Sequence, residues 1–393
     1  MKRVLFFITF VFFTAINGSH LFAQMVFSGI ADTTFSTRAG AGESPDVSFG
    51  FEQFANIRFQ ARLRERGRFM GAVNLFAAAG DTAAAAAAVN PHGIVAGENY
   101  IAGIEVERLQ FRLDFETVDF DGGLMRLPFG FSQVWGSSDF LNPPNPLRPD
   151  ARPRAVLATS FTWFPVDMFS IHGFGTTGRD PFAVDGQGAI MGLSMTRHWN
   201  RASLQLLYSY ETPQDVSETW SGSRYGVHRA GVSLRADLVL GFVVDALYTY
   251  NHQANTRMDG LSLSAGFDYS LFGGNLIVLA EYLFNGASSS TTLGFGGGFS
   301  NNHYLYTGLN LRFNDFTSGG LALISGLSDT SFTPLITFNR DIAQGATLTF
   351  TAQVPMDPDL FTGNGRRGEF GPLPPGSTFG RYFDFSARLR MRF

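Results

Sequence analysis

Cysteine is absent from all 393 residues, which excludes disulfides and also a lipoprotein, whose lipid is attached to a cysteine. Lysine is nearly absent: Lys2 is its one occurrence, so every later basic side chain is arginine or histidine. Charged residues make up 16% of the chain, against roughly 25% in ordinary globular domains. Long apolar runs are missing beyond the N-terminal segment. The nearest approach, Leu238–Tyr248, is broken by Asp245 and falls short of the ~20 residues a spanning helix needs, so a helical membrane protein is excluded. His92, His172, His198, His228, His252 and His303 are scattered singly, without metal-ligand spacing or a nucleophile motif, so neither an enzyme nor a cofactor or metal is expected. The glycine-rich Gly294–Gly298 lacks the strand–turn–helix setting of a phosphate cradle and reads as a loop.

What is abundant is phenylalanine, 42 residues, and glycine, 45. The last stretch shows how they are used. From Phe383 the residues alternate, with Phe383, Phe385, Ala387, Leu389, Met391 and Phe393 on one face and Asp384, Ser386, Arg388, Arg390 and Arg392 on the other. A strand sends successive side chains to opposite faces, so this segment has one apolar and one charged side. A transmembrane barrel needs that division, apolar toward lipid and polar toward a wet interior. The ending resembles the C-terminal strand of bacterial outer-membrane proteins. That resemblance implies that Phe393 is part of a signal read by the barrel-assembly machinery.

The other terminus agrees. Met1-Lys2-Arg3 precedes an apolar run, Val4 to Ile16, and a small residue, Ala23, near a cleavage point. This is the pattern of a secretory signal, too short to span a bilayer, so residues 1–23 are expected to be a signal peptide and 24–393 a single barrel domain. Removing Lys2 and Arg3 from the 29 basic residues leaves 27 against 33 acidic ones, a net charge of −6.

Between the termini the alternation recurs. Val26–Arg38 is a first strand. Ala55–Arg64 puts Asn56, Arg58, Gln60, Arg62 and Arg64 on one face, and Leu109–Glu116 does the same with Gln110, Arg112, Asp114 and Glu116. A turn is expected at Asp119–Gly123 and a strand over Leu124–Val134. Further runs include Ala155–Phe164, Gly188–Arg197, Gly241–Asn251 and Leu261–Ser270. Short turns (272–275, 342–345) alternate with long loops (81–99, 135–154, 286–301, 356–377), as in barrels. Seventeen to nineteen runs can be counted, and single-chain bacterial barrels are even-numbered. The expected fold is therefore all-β, an antiparallel up-and-down transmembrane barrel of 16 or 18 strands. Tyr208, Tyr210, Tyr248, Tyr250, Trp163 and Trp199 read as interface aromatics, with an internal sugar slide as the alternative.

Trp135–Arg154 breaks the rhythm. Five of its twenty residues are proline, which cannot donate to a ladder, so it is a stiff loop carrying Trp135, Asp139, Arg148, Asp150, Arg152 and Arg154. With Arg126-Leu127-Pro128-Phe129-Gly130 before it, the stretch resembles a segment of several porin-type families. That resemblance implies a loop folded inward to narrow a channel.

The expected pore lining is Arg58, Arg62, Arg64, Arg112, Asp114, Glu116, Arg235, Asp268, Arg312, Arg388, Arg390 and Arg392. A barrel closing on its last strand brings Arg388, Arg390 and Arg392 near Arg58, Arg62 and Arg64. Such a wall either attracts anions or serves as ion-paired lining, and both readings stand. The expected function is passive diffusion of small hydrophilic solutes, with a hydrophobic-solute transporter and a surface adhesin as alternatives. Expected partners are outer-membrane lipid, the assembly machinery and small solutes, with a homotrimer left open and no nucleic acid.

Overall fold

The computed structural model describes residues 25–39, 47–63, 66–80, 95–146, 153–177, 188–213, 226–251, 260–286, 301–356, 369 and 383–393. The expected signal peptide, the residues Arg64, Arg148, Asp150 and Arg152, and most of the long loops lie outside them.

Among the described residues, nineteen strands form one antiparallel sheet. They are β1 (Met25–Ala39), β2 (Val47–Leu63), β3 (Gly67–Gly80), β4 (Val95–Ala96), β5 (Tyr100–Asp114), β6 (Val118–Met125), β7 (Val156–Val166), β8 (Phe169–Thr176), β9 (Ile190–Trp199) and β10 (Ala202–Glu211). The second half holds β11 (Val227–Asp237), β12 (Gly241–Asn251), β13 (Leu261–Leu271), β14 (Leu276–Asn285), β15 (His303–Asn314), β16 (Thr317–Gly326), β17 (Ser331–Ala343), β18 (Ala346–Gln353) and β19 (Phe383–Arg392). β4 is a two-residue hook on β5. The other eighteen pair with their neighbours, and β19 pairs with β1, so the barrel closes with no free edge. Closure satisfies the ladder groups that lipid could not.

The predicted alternation decides which side chains face where. Phe385, Met391 and Phe393 are exposed on the outside, as are Trp163 and Trp199 near the short-turn end and Tyr208, Tyr248 and Tyr250 toward the other end. The interior face carries the polar set. The glycines and phenylalanines explain one another. In the cross-strand pairs Phe59–Gly71, Phe111–Gly122 and Phe161–Gly173 the ring lies over the glycine, where a Cβ would meet ring carbons at 2.1, 2.6 and 2.3 Å. At the seam the Phe393 ring covers Gly29 in the same way, and Gly29 and Phe393 exchange main-chain bonds of 2.7 and 3.1 Å.

Two local expectations are corrected. Asp119–Gly123 is part of β6 and not a turn; the chain reverses at residues 115–117, where Glu116 sits exposed instead of lining the wall. Asp119 and Asp121 fall on the inner face opposite Asp114 and Arg112, where Arg112 pairs with Asp119 and Gln110 Nε2 donates to Asp121 at 2.8 Å, and these contacts hold the segment in the ladder. Leu124–Val134 is not a strand either. β6 ends at Met125, and the chain then leaves the wall.

Candidate functional site

The departure is written in residues 126–136. The Leu127 N–H, freed from the ladder, donates to Asn142 Oδ1 at 2.7 Å, and Pro128 has no N–H to donate. Gly130 adopts φ +84°, and a Cβ there would stand 2.3 Å from Asp245 Oδ2, so glycine is required on both counts. Gly136, at φ +54°, packs as closely on Pro144. Arg126 braces the exit, donating to Glu107 at 2.7 Å and to the Pro153 carbonyl at 2.6 Å.

The segment is then held against the inside of the barrel by two carboxylates from the wall. The amides of Phe131 and Ser132 donate to Asp245 of β12 at 2.8–3.0 Å. The amides of Gln133, Val134 and Trp135 donate to Glu281 of β14 at 3.0, 3.2 and 2.9 Å, joined by the Ser132 hydroxyl. Consecutive N–H groups converging on an anion form a nest, here with the anions supplied by the protein. Gly130 N–H donates to Gln205 on β10 at 2.7 Å and Gln133 Nε2 to Asp268 on β13 at 3.3 Å. Ser137 bonds Ser264, and Ser138 accepts from Ser233.

Apolar contacts fill the space beneath. Val134 and Trp135 pack with Leu283, Tyr304 and Ile324, while Leu127, Phe129, Phe140 and Leu141 pack with Phe174, Ile190, Leu207 and Leu247. The segment therefore spans the inner wall from β8 to β16. Arg229, paired with Glu211 at 2.6 Å, lies 4.8 Å from the Phe140 ring centre. Asp139 is buried in the loop, accepting the Asn142 amide at 2.9 Å, and burial pushes its carboxyl up to about 7.

A closed eighteen-strand barrel with such an inward segment invites comparison. No family model matches the chain, and no curated protein matches it. Pseudomonas aeruginosa OccK2 (OpdF) superposes with a TM-score of 0.59 at 10% identity, covering 95% of this chain and 98% of that one. Acinetobacter baumannii OccAB4 gives 0.56 at 7% identity over the same shares, and OccAB1 of that species 0.54 at 12%. The chain shares the barrel fold of these structures.

Among the described residues, β19, β1, β2, β3 and β5 carry most of the sequence-predicted arginines. Arg62, Arg68 and Arg112 are direct cross-strand neighbours. Arg58 lies opposite Ser28 and donates to Asn56 at 2.6 Å. Arg388, Arg390 and Arg392 lie opposite Thr34, Asp32 and Ile30 of β1, the strand that separates them from β2. Arg390 forms a two-pronged pair with Asp32 at 2.8 and 2.6 Å. Asp114 bridges Arg68 and Arg112 at 2.8 and 2.6 Å. Arg235 and Arg312 sit at the short-turn end beside Asp237 and Asp315, with Arg312 in a cavity of about 320 Å³ shared with Asn275, Asn310 and Asn339.

Of the loop residues, Trp135 is fully buried against the wall: it is an anchor and lines no aperture. Arg154 stands where the loop returns, its carbonyl accepting from Asn142. Asp245 and Glu281 had no place among the expected site residues. The sequence does carry a signal for Asp245, a lone acid in the apolar run of β12 that demands partners once it faces inward.

Proposed function

We propose that this chain is a bacterial outer-membrane channel that passes small hydrophilic solutes by passive diffusion and prefers anions. The observation that carries the reading is the segment Arg126–Asn142, fastened inside a closed barrel against β8 to β16, while the arginines of β19, β1 and β2 make no described contact with it. A barrel of eighteen strands encloses water, and a loop on one side narrows that water toward the other. Arginines there raise the local concentration of anions and offer a fork that suits carboxylate and phosphate. Several of these arginines are ion-paired, so the preference is modest. The hydrophobic-transporter reading loses ground because the apolar side chains inside pack on one another. Single-channel recording of the refolded protein in a planar bilayer under a salt gradient tests the proposal. Steady openings with an anion-leaning reversal potential are expected; silence from a folded barrel, or a cation-leaning potential, would count against it.

A further inference from the structure

The inner wall is not charged all the way round. From β15 to β19, Asn310, Gly320, Thr337, Thr351 and Ser386 stand side by side in register, and none of them is ionisable. One step nearer the short turns, Arg312, Ser318 and Asn339 form the next row of direct partners. Here the wall is recessed into the cavity of about 320 Å³, a volume at the lower end of the roughly 300–1,000 Å³ of small-molecule sites. Main-chain bonds tie its rim. The Arg312 amide donates to the Asn275 carbonyl at 2.7 Å, and the Asp341 amide donates to the Phe316 carbonyl at 2.8 Å.

The lining offers hydrogen bonds and little net charge. Arg312 is paired with Asp315 at 2.8 Å, and Asp341 accepts the Thr347 hydroxyl at 2.6 Å. Asn339 accepts the Thr349 hydroxyl at 2.8 Å through Oδ1. The side chains of Asn275, Asn310 and Ser318 bond to no other described residue and border the cavity. One guanidinium against two carboxylates leaves the cavity weakly acidic, so a carboxylate or phosphate ligand is disfavoured there. A carboxamide presents donors and an acceptor together, and arginine presents a fork of donors. Adjacent hydroxyls, each of which both donates and accepts, match that set. Phe316, exposed at the rim, supplies a flat apolar surface for the C–H side of a sugar ring. We propose that this cavity is a binding subsite for a neutral polyhydroxylated solute of monosaccharide size. The inference rests on the lumen admitting solutes, as the channel reading has it.

Saturation-transfer NMR on the refolded protein in detergent micelles reads the site directly, with D-glucose as the probe and D-gluconate as its anionic counterpart. Heat-modifiable gel migration reports separately that each barrel is folded. Transfer to the glucose ring protons is expected, with a weaker signal from gluconate at the same concentration. Asn310→Ala combined with Arg312→Ala is expected to cut the glucose signal about tenfold, the order of loss that removing polar contacts brings. Gln60→Ala, on the inner face of β2 toward the same end of the barrel, is expected to leave it unchanged. No transfer to glucose from a folded barrel, a stronger signal from gluconate, or equal signals from the double variant and the wild type would overturn the proposal. Bilayer recording separates it from the channel reading. Ion flow without glucose binding sinks the subsite alone, whereas glucose binding by a barrel silent in bilayers upholds the subsite and sinks the channel.

Discussion

Trp135 and Glu281 hold each other twice: the Trp135 amide donates to the Glu281 carboxylate, and the indole Nε1 donates to the Glu281 main-chain carbonyl, both at 2.9 Å. A residue of the loop and a residue of the wall are thereby locked in position and orientation, with the ring sealed against Tyr304 at a 5.5 Å centroid distance. The inward segment is thus held from the wall as much as from within itself.

Replacing Glu281 by alanine removes the acceptor for four donors at once. Each lost bond to a charged group is worth about 1.5–3 kcal/mol, enough to detach the segment while the ladder persists. Larger conductance and greater open-channel noise are expected in bilayer recordings, with heat-modifiable migration retained. An unchanged conductance would remove Glu281 from this role.

Asp139 predicts a pH dependence. Its carboxyl is raised to about 7 in the docked loop by burial, against about 3.9 once released into water. Docking therefore favours the protonated form, and the docked loop holds more protons than the released one between these values. Docking stability is highest at low pH, falls as pH rises from about 4 to about 7, and levels off above that. Loop-opening events should become more frequent from pH 5 to pH 8, and Asp139→Asn should flatten the profile.

The wall arginines set selectivity. Exchanging Arg58 and Arg62 for glutamate reverses charge on the β2 wall, and should move the reversal potential toward cations while leaving the barrel folded. If the potential stays anion-leaning, the preference arises elsewhere.

Glycine under phenylalanine predicts a contrast in stability. Gly71→Ala brings a Cβ to 2.1 Å from the Phe59 ring and forces the ring aside, whereas Gly175→Ala meets nothing within 4 Å. Overpacking of this kind costs about 1–3 kcal/mol. The urea midpoint of refolded barrels should drop for the first variant and hold for the second.

Much of the barrel was legible before any coordinates. The face of Phe383–Phe393 that carries arginine is the inner one, and Leu261–Ser270 and Gly241–Asn251 are strands within a residue. Errors cluster where the chain gives up its ladder. Leu124–Val134 has strand composition, but Pro128 and Gly130 hand its amides to Asp245 and Glu281, over a hundred positions later in sequence. Arg154 and Trp135 were legible as loop residues, but the burial of Trp135 was not.

Sequence by itself determined the architecture, because a period of two, sustained strand after strand, leaves a polar interior and an apolar exterior only if the sheet closes. What only the tertiary structure decided was which carboxylates face the inward loop and which arginines find acids. Those depend on register across strands remote in sequence, and alternation within one strand carries no information about which residue of another will stand opposite.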